Sequence, residues 1–370
     1  MDAAFGLMQD FVNAPPARQA QMRTVAHPVL DALALNTQYG MLRDCAANAV
    51  RLARPQLKAV CTQLHVGTEH LENGRWHPTN PSVLRTPYGY LVCIRLVNYT
   101  NVRASNYQLE ADGVIRTRNV LQVLDKDGVL VSEHPLVLPA PWASDVGPFQ
   151  GLEDIRLFVD GGVVALSATY AQLRLMPVGR MVRCTLALKA DTAPAPGAVL
   201  VDSLVELVAS PEQITEKNWS VCTEGGGVRW IYSLQPFRAL RWNGKGVDVA
   251  ESDDPHRTKT LLHLATLRGS TGVARAPSGS LLSLFHFYSN HEGRFYHHRW
   301  VEHDPKTLRP VRVSESFCFG AADTADVEFA AGLTAGHDGL LWVSYGVGDR
   351  EAWAARVDEA TVQALKWYAA

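Results

Sequence analysis

Short β-rich runs separated by Gly, Pro, Asn and Asp fill the chain after about residue 80, and this texture limits the possible folds more than any other feature. Residues 90–97 and 340–345 are typical runs, rich in the aliphatic and aromatic residues that favour strands. The Pro-rich segments 138–141 and 193–196 lie between such runs, where the missing amide donor of proline is tolerated. The pattern predicts an all-β domain over residues 81–370.

Polar and aromatic clusters recur along this region at similar intervals. The steps between the markers are 56, 64, 53 and 57 residues, the markers being Asn98, Asp154, Asn218, Thr271 and Glu328. Each step accommodates a four-stranded blade, and repeats of about 40 to 50 residues or slightly more are typical of propellers. We therefore expect a five-bladed β-propeller, in which equivalent loops meet at one mouth of the central channel and form a single pocket.

The N-terminal part of the chain has a different composition. Residues from about 17 to 64 are rich in Ala, Leu and Arg at helix-like spacing. We expect residues 1–80 to form an N-terminal helical extension to the propeller. Its amphipathic pattern leaves open a role in homo-oligomer formation or in contacting a partner.

Composition excludes several functional classes. With 47% hydrophobic residues, 19% charged residues and a net charge of -2, the chain is an ordinary globular protein without a basic tract for nucleic acid. The sequence contains no run of 18 apolar residues and does not begin like a signal peptide, so we expect a cytoplasmic protein without a membrane span. The six cysteines are scattered without a CxxC pair, which argues against a metal site; we expect reduced thiols and no cofactor.

The segment Gly151–Phe158 carries the first candidate site residues. Glu153 and Asp154 supply two carboxylates and Arg156 a guanidinium, directly before an alternating apolar run. A carboxyl group beside a sugar oxygen can transfer a proton, and an arginine can hold an anionic oxygen through paired hydrogen bonds. The same residue types also occur on solvated loops.

Further candidates come from the other clusters. Lys217, Asn218 and Trp219 combine a cation, an amide and an aromatic face, a mixture that suits a sugar or phosphate ligand. The alternative is a solvated turn followed by a core tryptophan. His297 and His298 are adjacent on a predicted strand, so at most one of them faces the channel and they cannot chelate a metal together. The remaining candidate substrate-binding residues are Asn98, Tyr99, His286, Tyr296, His298, Arg299, Glu328 and Asp349.

Together these residues resemble the five-bladed propeller family of β-mannoside phosphorylases, whose relatives include mannosidases and mannosyltransferases. The likeness covers roughly residues 85 to 355, and its most specific part is Gly151–Arg156, which is similar to the family's G-x-E-D-P-R segment with Ile155 in place of proline. The resemblance implies that Asp154 is the general acid, acting through a sugar hydroxyl while phosphate attacks the anomeric carbon with inversion. Contacts to phosphate or diphosphate are expected from Arg156, Lys217, His286 and Arg299.

The segments 98–99, 116–119 and 216–219 depart from the family and indicate a divergent, glycosyltransferase-like branch. The expected partners are therefore an oligosaccharide or glycoside together with inorganic phosphate, a sugar 1-phosphate or a nucleotide sugar. Inverting hydrolysis is one alternative and would require a second carboxylate, such as Glu328, to activate water. A glycan-binding propeller without catalysis is the other.

Overall fold

A computed structural model describes residues 56–370, except for 102–106, 141, 144–148, 174–176, 211–212, 214, 255–263, 265, 290–294 and 321–326. Within these residues the protein is almost entirely β, and its two helices are the short segments α1 (Thr68–Leu71) and α2 (Glu359–Gln363). Of the strands, a two-stranded hairpin, β4 (Thr100–Asn101) and β5 (Tyr107–Gln108), stands apart from the larger sheets. The all-β prediction is confirmed.

Antiparallel runs of strands follow one another along the chain. The first contains β2 (His77–Thr86), β3 (Gly89–Val97), β6 (Ile115–Leu124) and β7 (Leu130–Val137). The second contains β9 (Leu152–Asp160), β10 (Val163–Leu173), β11 (Pro177–Lys189) and β12 (Val199–Leu207). A parallel pairing of β7 with β12 joins both runs into one sheet, and β8 (Phe149–Gln150) pairs with β6.

Three further sheets complete the described fold. One contains β13 (Ser220–Cys222), β14 (Arg229–Leu234), β15 (Phe237–Trp242) and β16 (Val247–Ser252). The next contains β17 (Arg268–Gly269), β18 (Ala274–Arg275), β19 (Leu281–Ser289), β20 (Phe295–His303), β21 (Pro310–Ser314) and β25 (Trp367–Ala369). The last contains β22 (Glu328–Ala335), β23 (Leu341–Val347), β24 (Glu351–Val357) and β1 (Val60–Leu64).

Strand β1 corrects the expectation for the N-terminal region. Residues 60–64 were expected in a helical segment, but they form a strand that pairs antiparallel with β24, Cys61 lying opposite Ala355. Pairing with an edge strand of the last sheet satisfies backbone groups that a helix would satisfy internally. Residues 1–55 lie outside the described residues, and the proposed boundary at residue 80 falls inside β2. The division into an extension and a propeller therefore stays a prediction.

The sheets pack against their neighbours in chain order, and the last packs against the first. Apolar clusters fill the spaces between them; Trp76, directly before β2, for example, shares a cluster with Trp342 of the last sheet. Strands β2, β9, β13, β18 and β22 line one cavity of about 260 Å³. A ring of sheets around a central channel is a propeller-like arrangement. The number of blades remains a prediction.

Two further observations concern membrane spans and thiols. No described helix has the length and apolar character required to cross a membrane. The five cysteines among the described residues, Cys61, Cys93, Cys184, Cys222 and Cys318, are free thiols.

Candidate active site

Asp154 lies at a β-bulge in the inner strand β9. The register between β9 and β10 shifts at this point, where Arg156 lies opposite Ser167 and Glu153 opposite Thr169. Asp154 has a φ of 50°, in the left-handed region that residues other than glycine rarely adopt. Bulges re-aim side chains and cluster near active sites, and such backbone strain points to function.

A second bulge brings Asn80 to Asp154. The register between β2 and β3 shifts between Thr79 and Ser82, and Asn80 has a φ of 42°. The Asn80 side chain donates a hydrogen bond from Nδ2 to Oδ1 of Asp154 at 2.8 Å. Asn80 and Asp154 are 74 positions apart in the sequence. They meet because strands β2 and β9 each contain a bulge at this point.

Gly151 sets the approach of β9 to the preceding run. Its φ is 90°, and a Cβ at this position would lie 2.2 Å from the carbonyl oxygen of Thr117. Only glycine combines this backbone conformation with this contact. The start of the segment Gly151–Arg156 is therefore fixed against β6.

Arg95 is buried beneath the two carboxylates. Its guanidinium donates to Oε1 of Glu153 at 2.8 Å and to Oδ1 of Asp154 at 3.0 Å, while Nε donates to the Thr117 hydroxyl at 3.3 Å. Burial alone would lower the pKa of Arg95, but Tyr99, Glu153, Asp154 and Asp349 raise it above its usual range. Arg95 therefore stays a cation and holds both acids. Sequence reasoning missed it; the available signal was a lone arginine within the apolar run 90–97.

Arg156 links three runs of the fold. It donates from Nε to the backbone oxygen of Ser270 at 2.9 Å, from Nη2 to Oδ1 of Asn218 at 3.3 Å, and from Nη1 to the backbone oxygen of Asp154. Asn218 also has a positive φ, 64°. Arg156 is only 1% exposed, and burial lowers its pKa, although Asp154 opposes this effect. Its hydrogen bonds go to the protein, so it acts on a ligand mainly through its charge.

The environment determines the protonation state of Asp154. Burial by itself would raise the pKa of this carboxyl group, but the charges of Arg95, Arg156 and Lys217 and the hydrogen bond from Asn80 lower it to about 2. Asp154 is therefore ionised at neutral pH. The general acid that the sequence resemblance implied would need the protonated form of this carboxyl group.

Lys217 and Arg268 supply exposed positive charge near these residues. The charge of Lys217 acts on both Asp154 and His286, and that of Arg268 acts on His286. Both side chains lie at exposed positions. Among the described residues neither of these two cations is in an ion pair, which leaves them available to an anionic ligand. Arg268 is a further residue that the sequence candidates omitted.

His286 forms the aromatic side of the site. It is buried, its Nδ1 lies 2.7 Å from the hydroxyl of Ser270, and its ring packs against Tyr296 and Phe329 at 5.4 and 5.0 Å. Burial first, and then nearby positive charge, lowers the pKa of His286 well below its usual value. His286 is therefore a neutral imidazole at physiological pH.

Asn98 stabilises a neighbouring loop, whereas Tyr99 and Asp349 act on Arg95. The Asn98 amide is engaged with the backbone, because Nδ2 donates to the Val114 oxygen at 3.0 Å and Oδ1 accepts from the Arg116 amide at 2.7 Å. Tyr99 is buried and influences the pKa of Arg95, as does Asp349, which has a φ of 55°. Asn98 stabilises the loop; Tyr99 and Asp349 complete the surroundings of Arg95.

The positions of Trp219 and Arg299 contradict the ligand contacts that were predicted for these two residues. Trp219 is 1% exposed and packs in an apolar cluster with Phe158 and Trp230, so its ring offers no platform to a sugar. Arg299 lies opposite Phe285 in the β19–β20 register, whereas His286 lies opposite His298. The Arg299 side chain is therefore on the other face of the sheet from His286. It donates to the Ser314 backbone oxygen at 2.8 Å and takes no part in the candidate site.

His298 and Glu328 are buried in the walls. The Nε2 atom of His298 accepts the Ala330 amide at 3.1 Å, and the prediction that His297 and His298 face opposite sides is confirmed, because His297 stacks on Phe287 in a different cluster. The two carboxylate oxygens of Glu328 accept backbone amides of Phe319 and Gly320 at 2.8 and 2.9 Å. Glu328 is thus held by the backbone.

Sequence comparisons and structural comparisons give different results. No family model matches the sequence, and no curated protein gives a significant match. Solved structures, however, share the fold. A glycosyl hydrolase from Bacteroides ovatus is 13% identical with a TM-score of 0.54, over 77% of this chain and 85% of that one. A protein from Parabacteroides distasonis described as a candidate glycoside hydrolase is 12% identical with a TM-score of 0.55, over 76% and 87% of the two chains.

A third similar structure comes from the GH130 family of mannoside phosphorylases, a family described as containing hydrolases that target β-1,2-mannosidic linkages in Candida mannan. It is 12% identical with a TM-score of 0.53, and the match covers 76% of this chain and 84% of that one. At these low sequence identities, the similarity shows a shared fold and nothing about function. The chain has the propeller-like fold found in glycoside hydrolases and in the GH130 mannoside phosphorylases.

Proposed function

We propose that the protein is a carbohydrate-active enzyme that catalyses inverting glycosyl transfer on β-mannoside-like substrates, as a phosphorylase or a mannosyltransferase, within a five-bladed propeller. The observation that carries the proposal is the Asp154 carboxylate, held in a strained bulge by Asn80 and Arg95 beside two exposed cations. Fixed acid–base groups and nearby positive charge are what transfer from a phosphorylated sugar requires.

In this mechanism Asp154 acts as a base. An acceptor hydroxyl attacks the anomeric carbon of the donor while Asp154 takes its proton; the bond from that carbon to the phosphate oxygen breaks, and the phosphate leaves with the electron pair. The carboxylate is ionised at neutral pH, as a group that accepts a proton must be. Phosphorolysis is the reverse reaction and draws on the small protonated fraction of Asp154.

Lys217 and Arg268 support a donor with a negatively charged leaving group. Their exposed charges would stabilise the negative charge that develops as the phosphate departs. The buried charge of Arg156 adds to this field without a direct contact. A sugar 1-phosphate and a nucleotide sugar both meet this requirement.

The surroundings of Glu328 favour transfer over hydrolysis. An inverting hydrolase needs a second carboxylate that activates water, about 6.5–9.5 Å from the acid. Both Glu328 oxygens accept backbone amides. Glu153 is likewise paired with Arg95. Because protein groups engage both carboxylates, neither is well placed to activate a water molecule.

The test is a product assay with sugar 1-phosphates, GDP-mannose and β-mannosides, each with and without inorganic phosphate. We expect a glycoside product from a phosphorylated donor, and we expect Asp154→Asn to lower turnover at least 100-fold. Asp248→Asn, at an exposed position, is the matched control. Unchanged turnover in Asp154→Asn would refute the role of Asp154. Glycan binding without product under all conditions would instead identify a glycan-binding propeller.

A further inference from the structure

A second cavity, of about 680 Å³, lies beside β6. The pairing of β6 with β7 begins at Asn119, and the pairing of β6 with β8 covers Ile115 and Arg116. The edge of β6 at Thr117 and Arg118 therefore lies between two partner strands. The volume falls within the range of about 300–1,000 Å³ that is usual for small-molecule sites.

This cavity shares a wall with the candidate active site. Thr117, Gly151 and Leu152 line it. The hydroxyl of Thr117 accepts a hydrogen bond from Arg95, and Leu152 is followed directly by Glu153. A ligand in the cavity would thus lie against residues that border the carboxylates.

The arginines around the cavity are all paired with acidic residues. Three arginines contribute to its lining, and each is in an ion pair with an acidic residue: Arg75 with Glu110, Arg116 with Asp112 and Arg118 with Glu72. Paired guanidinium groups do not provide the excess positive charge that a phosphate or nucleotide would require. The lining favours a neutral ligand.

The remaining lining suits a ligand rich in hydroxyl groups. The half-buried Trp142 provides aromatic surface, and Asn119 and Gln150 provide amides, whereas Trp76 is 2% exposed and lies beneath the Arg118 guanidinium. Asn119 is buried, its Nδ2 donates to the Leu152 oxygen, and its Oδ1 has no hydrogen-bond partner within the described part of the chain. The Asn119 oxygen is itself enclosed, so Trp142 and Gln150 are the lining groups that a sugar ring can contact directly.

We propose that this cavity binds neutral sugar units of the acceptor glycan beyond the unit that meets Asp154. The proposal rests on the proposed glycosyl-transfer function and adds a preference for longer acceptors. Aromatic and amide groups select sugar rings, and the shared wall sets the direction in which the acceptor extends.

Calorimetry on the full-length Asp154→Asn protein, which prevents turnover, tests this inference with a β-mannoside disaccharide and a tetrasaccharide. We expect the tetrasaccharide to bind at least about 10-fold more tightly. Ala143, exposed on the cavity wall, allows the space to be filled without removing a contact. Ala143→Trp should remove the preference for the longer ligand, and Ala143→Ser should retain it; Gln150→Ala is a second variant that should weaken it.

The outcomes separate the inference from the proposed function. Equal affinities for both ligands, or a length preference that survives in Ala143→Trp, would overturn the cavity assignment while leaving glycosyl transfer intact. Binding of neither ligand would overturn both. Thermal unfolding of each variant verifies that an altered affinity reflects the site and not the fold.

Discussion

Asn80 donates its side-chain amide to Asp154, and both residues have a positive φ at bulges in neighbouring inner strands. Because this bond favours the carboxylate, Asn80→Ala should raise the pKa of Asp154. We expect the acid limb of the pH–rate profile to move to higher pH, with turnover lowered about 10-fold at most. Asn243→Ala, in an exposed turn, is the control. An unshifted acid limb would contradict the link between the two residues.

The lowered pKa of Asp154 also predicts a pH dependence of stability. The folded-state pKa of about 2 lies below the usual value of 3.8, so the stabilising contribution is complete above about pH 4 to 5 and is lost as the pH falls towards 2. Its size is on the order of 2 kcal/mol. Chemical denaturation between pH 6 and 2 should show a steeper loss in the wild type than in Asp154→Asn. Parallel curves would be inconsistent with this prediction.

Arg95 should be essential for stability as well as for the site. Replacing it with methionine leaves Glu153 and Asp154 without their buried cation, and breaking such a network costs about 3–5 kcal/mol. Chemical denaturation measures the loss. Arg85→Met, at an exposed position on the neighbouring strand β2, should change stability by less than about 0.5 kcal/mol. A similar small effect at Arg95 would show that the carboxylates do not depend on it.

Lys217 should act on the phosphorylated substrate alone. Because it is exposed, Lys217→Ala should fold normally while raising the KM for phosphate or for a sugar phosphate about 10-fold. The KM for the neutral glycoside should stay the same. Lys245→Ala, in another exposed turn, is the matched control. Equal effects on both substrates would remove Lys217 from phosphate recognition.

Gly151→Ala tests whether β9 must lie this close to β6. Gly151→Ala introduces a Cβ at 2.2 Å from the Thr117 oxygen and should destabilise the protein by about 3 kcal/mol or more. Gly161 also has a positive φ, 58°, but no atom lies within 4 Å of its added Cβ. Gly161→Ala should therefore cost only about 1 kcal/mol. Comparable thermal stabilities of the two variants would show that β9 can shift.

The local pattern of the sequence was sufficient to predict the class of fold. Alternating apolar runs and regularly spaced turn residues predicted an all-β chain and a recurrent unit, since strand periodicity depends on neighbouring residues. The same local reasoning failed for residues 60–64, because a strand that pairs with β24 is selected by a segment almost 300 residues away. Helix-like spacing could not reveal that partner.

The sequence by itself marked the segment Gly151–Arg156 as a candidate site, through its charged residues and its resemblance to a family motif. Only the tertiary structure brought Asn80 and Arg95 to Asp154, and only the β19–β20 register turned Arg299 away from it. The sequence gives the type of each residue directly. The face on which a side chain lies depends instead on bulges and strand register, and these are set only when distant strands pair.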